Sequence, residues 1–134
     1  MYEHQVNSGT ISNWPSRGTP ISSGDWPTAN NPCPSGYRVP TQAEWIGVNS
    51  NNGTPARPGT WSGNNWTSAI KFGNALLLPA IGYRGTSDGM RYYTGFQGNY
   101  WSSVGYDLYF RSDFVQPYNA YYRDGGFSVR CIAE

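Results

Sequence analysis

Glycine and proline punctuate this 134-residue chain at 17 and 10 positions, too densely for long regular elements. Proline fixes its own φ, removes a backbone donor and pushes the residue before it out of the helical region. Trp14-Pro15, Thr19-Pro20, Trp26-Pro27 and Asn31-Pro32 all do so within residues 1–32, which read as an irregular N-terminal segment. Trp14 and Trp26 are expected to anchor that segment to the core, or else to serve as exposed stacking platforms for sugars. The chain that remains suits short strands joined by turns. The expected fold class is α+β, mostly β, with short antiparallel strands, one or two short helices and long loops.

The length suits one domain with a single core, residues 1–134. Val, Ile, Leu and Phe are scarce, yet six Trp and eleven Tyr supply apolar bulk, and net charge is only +1. That combination is a folded, turn-rich domain rather than a disordered one. The nine Lys and Arg form no basic stripe, so no nucleic-acid partner is expected. No apolar run approaches membrane-spanning length. The start, MYEHQVNSGT, lacks a basic region followed by an apolar stretch, so it does not read as a signal peptide. A cytoplasmic product, a virion protein or part of a longer exported protein all fit; cell surface, secreted or virion is the expectation.

There are two cysteines, Cys33 and Cys131. A disulfide between them would close a loop of about 100 residues, worth up to roughly 4–5 kcal/mol in the chain-entropy model. It would clamp the last strand to the start of the structured region. Two buried free thiols are the alternative, decided by compartment. Two cysteines and the single His4 make no four-ligand zinc site without carboxylates, so no metal or cofactor is expected.

Thr41 and Glu44 have capping-box spacing, so a short helix is predicted after Thr41, with Ala43, Trp45, Ile46 and Val48 on its buried side. Glu44 invites a catalytic reading, but the cap already employs it. Residues 49–66 form a long polar loop carrying Trp61 and Trp66, with glycosylation triplets at Asn52 and Asn65. Ala69–Phe72 and Ala75–Arg84 flank Gly73-Asn74, which predicts a hairpin with a two-residue turn. Leu76 to Leu78 should centre the core, and Pro79 should mark an edge or a bulge. Residues 85–99 are a Gly-rich excursion. Short strands are predicted near 99–103, 107–111, weakly at 114–116, and over 126–133.

The stretch Tyr100 to Cys131 has the residue types of a binding surface. Tyr106, Tyr109, Phe110, Phe114, Tyr118, Tyr121 and Tyr122 are interleaved with Asp107, Arg111, Asp113, Asn119, Arg123 and Asp124. Tyr offers large rigid contact area with few rotors, and Arg adds a planar donor fork. The bland alternative is a Tyr-rich strand pair packed inside a β domain.

These residues carry a resemblance. CPSGYRVPTQAEW (33–45), ALLLPAIGYRG (75–85), NYWSS (99–103), LYF (108–110) and GFSVRCI (126–132) resemble the Fibrobacter succinogenes major paralogous domain family, over about residues 20 to 132. The resemblance implies a C-type lectin-like fold, in the branch shared with formylglycine-generating enzymes. Several relatives are variable proteins of diversity-generating retroelements, in which a template copied with changes at adenines overwrites the C-terminal codons. It implies a ligand-binding module with a diversified C-terminal surface over residues 100–131, directed at a protein or glycan on another cell or particle. Codons beginning as AAC or AAT and changed at their first two bases cannot encode Gln, Lys, Glu, Met or Trp. Between Val104 and Gly125 only Gln116 lies outside the reachable set.

By the same resemblance Trp101, Ser102, Ser103, Leu108, Phe110, Gly126, Phe127, Val129 and Arg130 are scaffold, as are both cysteines. The implied variable, ligand-facing positions are Val104, Gly105, Tyr106, Asp107, Arg111, Asp113, Phe114, Tyr118, Asn119, Ala120, Tyr121, Tyr122 and Asp124. The family's usual first strand is missing. The Glu-Pro-Asn and Trp-Asn-Asp triplets of calcium-dependent lectins are absent, which leaves calcium-mediated sugar binding unsupported. Two other functions compete: a fixed-specificity adhesin or carbohydrate binder using Trp61, Trp66 and Tyr92-Tyr93, and an enzyme. The chain shows no nucleophile–base pair, and an acid–base pair could be drawn only from Asp107, Asp113 and Asp124. It is therefore expected to be no enzyme.

Overall fold

A computed structural model of the chain describes residues 31–103, 105–121 and 125–134. The expected roles of Trp14, Trp26 and His4, and of Val104, Tyr122 and Asp124, lie outside them. The described chain is mostly β: β1 (Tyr37–Arg38), α1 (Gln42–Asn51), β2 (Ala69–Phe72), β3 (Leu76–Pro79), β4 (Tyr83–Arg84), β5 (Arg91–Tyr92), β6 (Gln97–Trp101), β7 (Tyr106–Arg111), β8 (Val115–Ala120) and β9 (Ile132–Ala133). Antiparallel pairing joins β1 to β9, β2 to β3 and β4 to β5, and builds the three-stranded sheet β6-β7-β8. Single bridges at Gly82–Gly98, Arg84–Gly126 and Tyr100–Ser128 tie these pieces together.

The helix begins where its cap dictates. Thr41 Oγ1 accepts from the Glu44 amide at 3.2 Å, and Glu44 Oε2 accepts from the Thr41 amide at 2.7 Å. Arg38 then grips both Glu44 oxygens, at 2.8 and 2.7 Å, fastening β1 to the helix start. Glu44 is held down near 2 by the Arg38 guanidinium first and the Thr41 donors after it, although burial opposes them. The buried side is narrower than predicted. Trp45 alone is buried, Val48 packs against the core, Ala43 is exposed and Ile46 is 42% exposed. A helix this short, packed against β7 and β8, turns one narrow stripe inward.

Alternation corrects two more expectations. In the β2–β3 hairpin Phe72 pairs with Leu76, so Gly73, Asn74 and Ala75 form a three-residue turn, with Gly73 at φ +56°. Leu78 is 1% exposed but its neighbour Leu77 is 50% exposed, because successive strand side chains leave opposite faces. The core is Trp45, Ile70, Phe72, Leu78, Ala80, Tyr100, Leu108 and Phe110.

The weak strand expected at 114–116 is a six-residue strand, Val115–Ala120. It contains Pro117 because it is an edge strand with a bulge: Tyr109 pairs with Gln116 and Asp107 with Asn119, leaving Pro117 and Tyr118 opposite Leu108. The long C-terminal strand is not formed. Gly126 and Ser128 make isolated bridges, and regular pairing returns only at Ile132–Ala133. Cys33 and Cys131 are disulfide-bonded across a separation of 98 residues, just outside the β1–β9 pair. None of the described helices is long and apolar enough to cross a membrane.

Candidate functional site: the polar face of the three-stranded sheet

The sheet β6-β7-β8 has two chemically different faces. In β7, Leu108 and Phe110 are fully buried in the core, and Gly98 and Tyr100 of β6 accompany them. A Cβ built on Gly98 would fall inside the Phe110 ring, so only glycine lets that ring lie across β6. Period-two geometry sends Asp107, Tyr109 and Arg111 to the other face. Their register partners Trp101, Asn99 and Gln97 join them there.

On this face runs a chain of buried polar groups. Gln97 Nε2 donates to Asn99 Oδ1, Asn99 Nδ2 donates to Asp107 Oδ2, and Asn119 Nδ2 donates to Asp107 Oδ1, each at 2.8 Å. Arg111 Nη2 approaches Gln97 Oε1 at 3.4 Å, the long limit of a hydrogen bond. Asp107 is wholly inaccessible to solvent. Burial pushes its carboxyl up to about 7, against the pull of the Asn99 and Asn119 amides. The result is a carboxyl that changes charge near neutrality beneath an otherwise non-titrating floor.

Above that floor is an open cavity of about 250 Å³. Gln97, Asn99 and Asn119 form its base, with Arg111 to one side. Tyr83, Tyr93, Tyr109 and Tyr121 wall it. Tyr83 stacks on Tyr93 at 6.0 Å and meets Tyr121 edge-on at 5.5 Å. Burial and the Tyr121 hydrogen bond drive the Tyr83 phenol well above its ordinary range. The Arg111 guanidinium carbon lies 5.5 Å from the Tyr109 ring, 5.8 Å from Tyr93 and 5.9 Å from Phe114, within cation–π reach of each.

A second cavity of about 560 Å³ adjoins the first, and Tyr93 lines both. Gly63, Asn64, Arg91, Thr94 and Phe96 complete it. Asn64 and Tyr93 have φ of +57° and +58°. For a residue as bulky as Tyr this left-handed conformation is costly, and such residues gather at binding sites. Beside this cavity Arg91 lies over the Trp66 ring at 4.8 Å, and Trp66, Tyr92, Tyr93 and Phe96 are all exposed. Trp61 does not join this platform: it is partly buried and packs edge-on against Phe110 at the margin of the core.

The implied variable residues therefore separate. Arg111, Asn119 and Tyr121 line the first cavity, and Asp107 lies beneath it as a buried group, not a ligand-facing one. Phe114 stands edge-on to Tyr109 at 5.0 Å on the rim. Tyr118 is 57% exposed, Ala120 and Asp113 are exposed, and half-buried Tyr106 pairs with Ala120; none of these lines either cavity. Gly105 is buried in the β6–β7 turn at φ +80°, a left-handed conformation that favours glycine, and it offers no side chain to a ligand. Tyr109 is among the expected binding-surface aromatics, and Tyr93 belongs to the Tyr92-Tyr93 platform expected of the fixed-specificity binder. Gln97, Asn99 and Tyr83 line the cavity outside those expectations, Tyr83 because it comes from the β4–β5 hairpin with no local cue. Among the described residues no three His, Cys, Asp or Glu side chains gather to hold a metal. Comparison with protein-family models, with curated proteins and with solved structures finds no match to this chain.

Proposed function

We propose that this chain is a non-enzymatic ligand-binding module of C-type lectin-like type, a variable protein of a diversity-generating retroelement that displays a diversified C-terminal face. One observation carries the reading. Within β7 and β8, residues directed to the core are Leu108, Phe110 and Val115, while Arg111, Asn119 and, just past β8, Tyr121 converge on an open cavity. A scaffold face and a replaceable face thus interleave residue by residue, which is what a copying mechanism needs if it is to change binding without unfolding the protein. Tyr, Asn and Arg are also the residue types that make adaptable paratopes. The Cys33–Cys131 bond and the β1–β9 pair close the chain on either side of this region, supporting it while its surface changes.

Sequencing the DNA around the gene tests this. The expected result is a second copy of the codons for Tyr100–Cys131, differing where it carries adenine, beside a reverse-transcriptase gene. The codons for Leu108 and Phe110 should be identical in the two copies. Absence of any such copy would sink the diversified reading. A fixed-specificity binder is the second reading, favoured by the exposed Trp66, Tyr92, Tyr93 and Phe96 around the second cavity. It predicts homologous genes that share one ligand and differ at scattered positions.

A further inference from the structure

We infer that the tyrosine-walled cavity of this particular chain takes a carboxylate-bearing sugar at the end of a glycan. The inference rests on the binding-face reading above and adds the ligand's chemistry. At about 250 Å³ the cavity falls below the roughly 300 Å³ at which sites for drug-sized ligands begin, so it suits a single ring. Its floor is made of amides whose hydrogen bonds leave capacity unused. Asn119 spends one amide proton on Asp107 and retains the other, together with its carbonyl oxygen. Asn99 spends one amide proton on Asp107 and its oxygen on Gln97. An apolar side chain would cover the spare donor and acceptor of half-buried Asn119 without partners, which costs about 1–3 kcal/mol each. Ring hydroxyls would pair with them instead.

The walls fit the same ligand. Four tyrosines line the cavity, and such amphipathic rings can cover the apolar C–H face of a pyranose while their hydroxyls stay wet. Charge then selects among sugars. Among the described residues no carboxylate lies within 4 Å of the Arg111 guanidinium. Arg111 is exposed and held among three rings, and beyond its long 3.4 Å contact to Gln97 its guanidinium keeps donors that can meet a carboxylate on the bound ring. No calcium is needed, because the amides and Arg111 do the work of recognition.

The test is titration calorimetry of the full chain with four probes. They are glycans ending in glucuronic acid, glycans ending in sialic acid, the matched glycans ending in a neutral hexose, and a Glu-rich peptide. At least one acidic glycan should bind about tenfold tighter than its neutral counterpart, the worth of one charge-assisted pair. Arg111→Gln should erase that preference, bringing the acidic glycan to the neutral one's affinity with an unchanged melting temperature. Asn119→Ala should weaken both glycans alike. Equal affinity for acidic and neutral glycans, or no glycan binding at all, overturns the inference. Binding of the peptide alone also overturns it, yet leaves the binding face standing if Arg111→Gln removes that binding. The gene-flanking sequence judges the diversified reading separately.

Discussion

Asn119 of β8 donates its side-chain amide to the buried carboxylate of Asp107 across 2.8 Å, locking the edge strand to the centre of the sheet. Asn99 does the same from the other side. Two amides are not enough to keep the charge comfortable: burial outweighs them and raises the Asp107 carboxyl to about 7. Stability should therefore depend on pH in a direction opposite to that of most carboxylates. Between the ordinary Asp value near 4 and about 7, the folded state holds a proton that the unfolded state has lost. Stability from this group is present below about 4, falls as pH rises through 7 at up to about 1.4 kcal/mol per pH unit, and is level above. Urea denaturation at pH 5 to 8 should show that decline in wild type and its absence in Asp107→Asn.

Glu44 works the other way. Its folded value of about 2 lies below the unfolded one, so its contribution is present above about 4.3 and is lost as pH falls through 2. Glu44→Ala breaks both the capping box and the Arg38 pair. It should lower stability by about 1–2 kcal/mol at pH 7, read as a shift in the denaturation midpoint.

The two faces of the sheet should differ sharply under mutation. Leu108→Ala removes a fully buried side chain and should cost about 2–5 kcal/mol. Gly98→Ala drives a methyl group into the Phe110 ring and should cost about 1–3 kcal/mol. Tyr118→Ala, on a residue 57% exposed, should stay within about 0.5 kcal/mol. Chemical denaturation of the three variants checks the ordering.

Opening the Cys33–Cys131 bond frees a loop closed across 98 residues. The double variant Cys33→Ser, Cys131→Ser should lose up to about 4–5 kcal/mol, with the β1–β9 pair the first to exchange its amide hydrogens. Hydrogen exchange with and without the bond reads both effects.

Much of this architecture was readable from local chemistry. Thr41 and Glu44 announced the helix start because a cap involves residues three apart and nothing else. Leu108 and Phe110, expected as scaffold from the resemblance, lie on the buried face of β7. The failures share a cause: they need partners distant in sequence. Pro117 hid a six-residue strand, since its tolerance depends on the bulge and on β8 lying at a sheet edge. Val129 and Cys131 alternate like a strand, but only isolated bridges form there. Asp107 read as a surface residue because its burial is created by Asn99 and Asn119, eight and twelve residues away. Tyr83 and Tyr93 reach the cavity from a different hairpin, which no period within residues 100–131 could reveal.

The most direct measurement is selection from a displayed library. The codons of Arg111, Asn119 and Tyr121 would be replaced by all those ending in C or T, and the library panned against several unrelated proteins and glycans. Folded binders to more than one target, differing at these three positions over an unchanged Leu108 and Phe110, are the predicted result. A library that folds as well as wild type but yields no binder to any target would contradict the claim that this face is a replaceable binding surface.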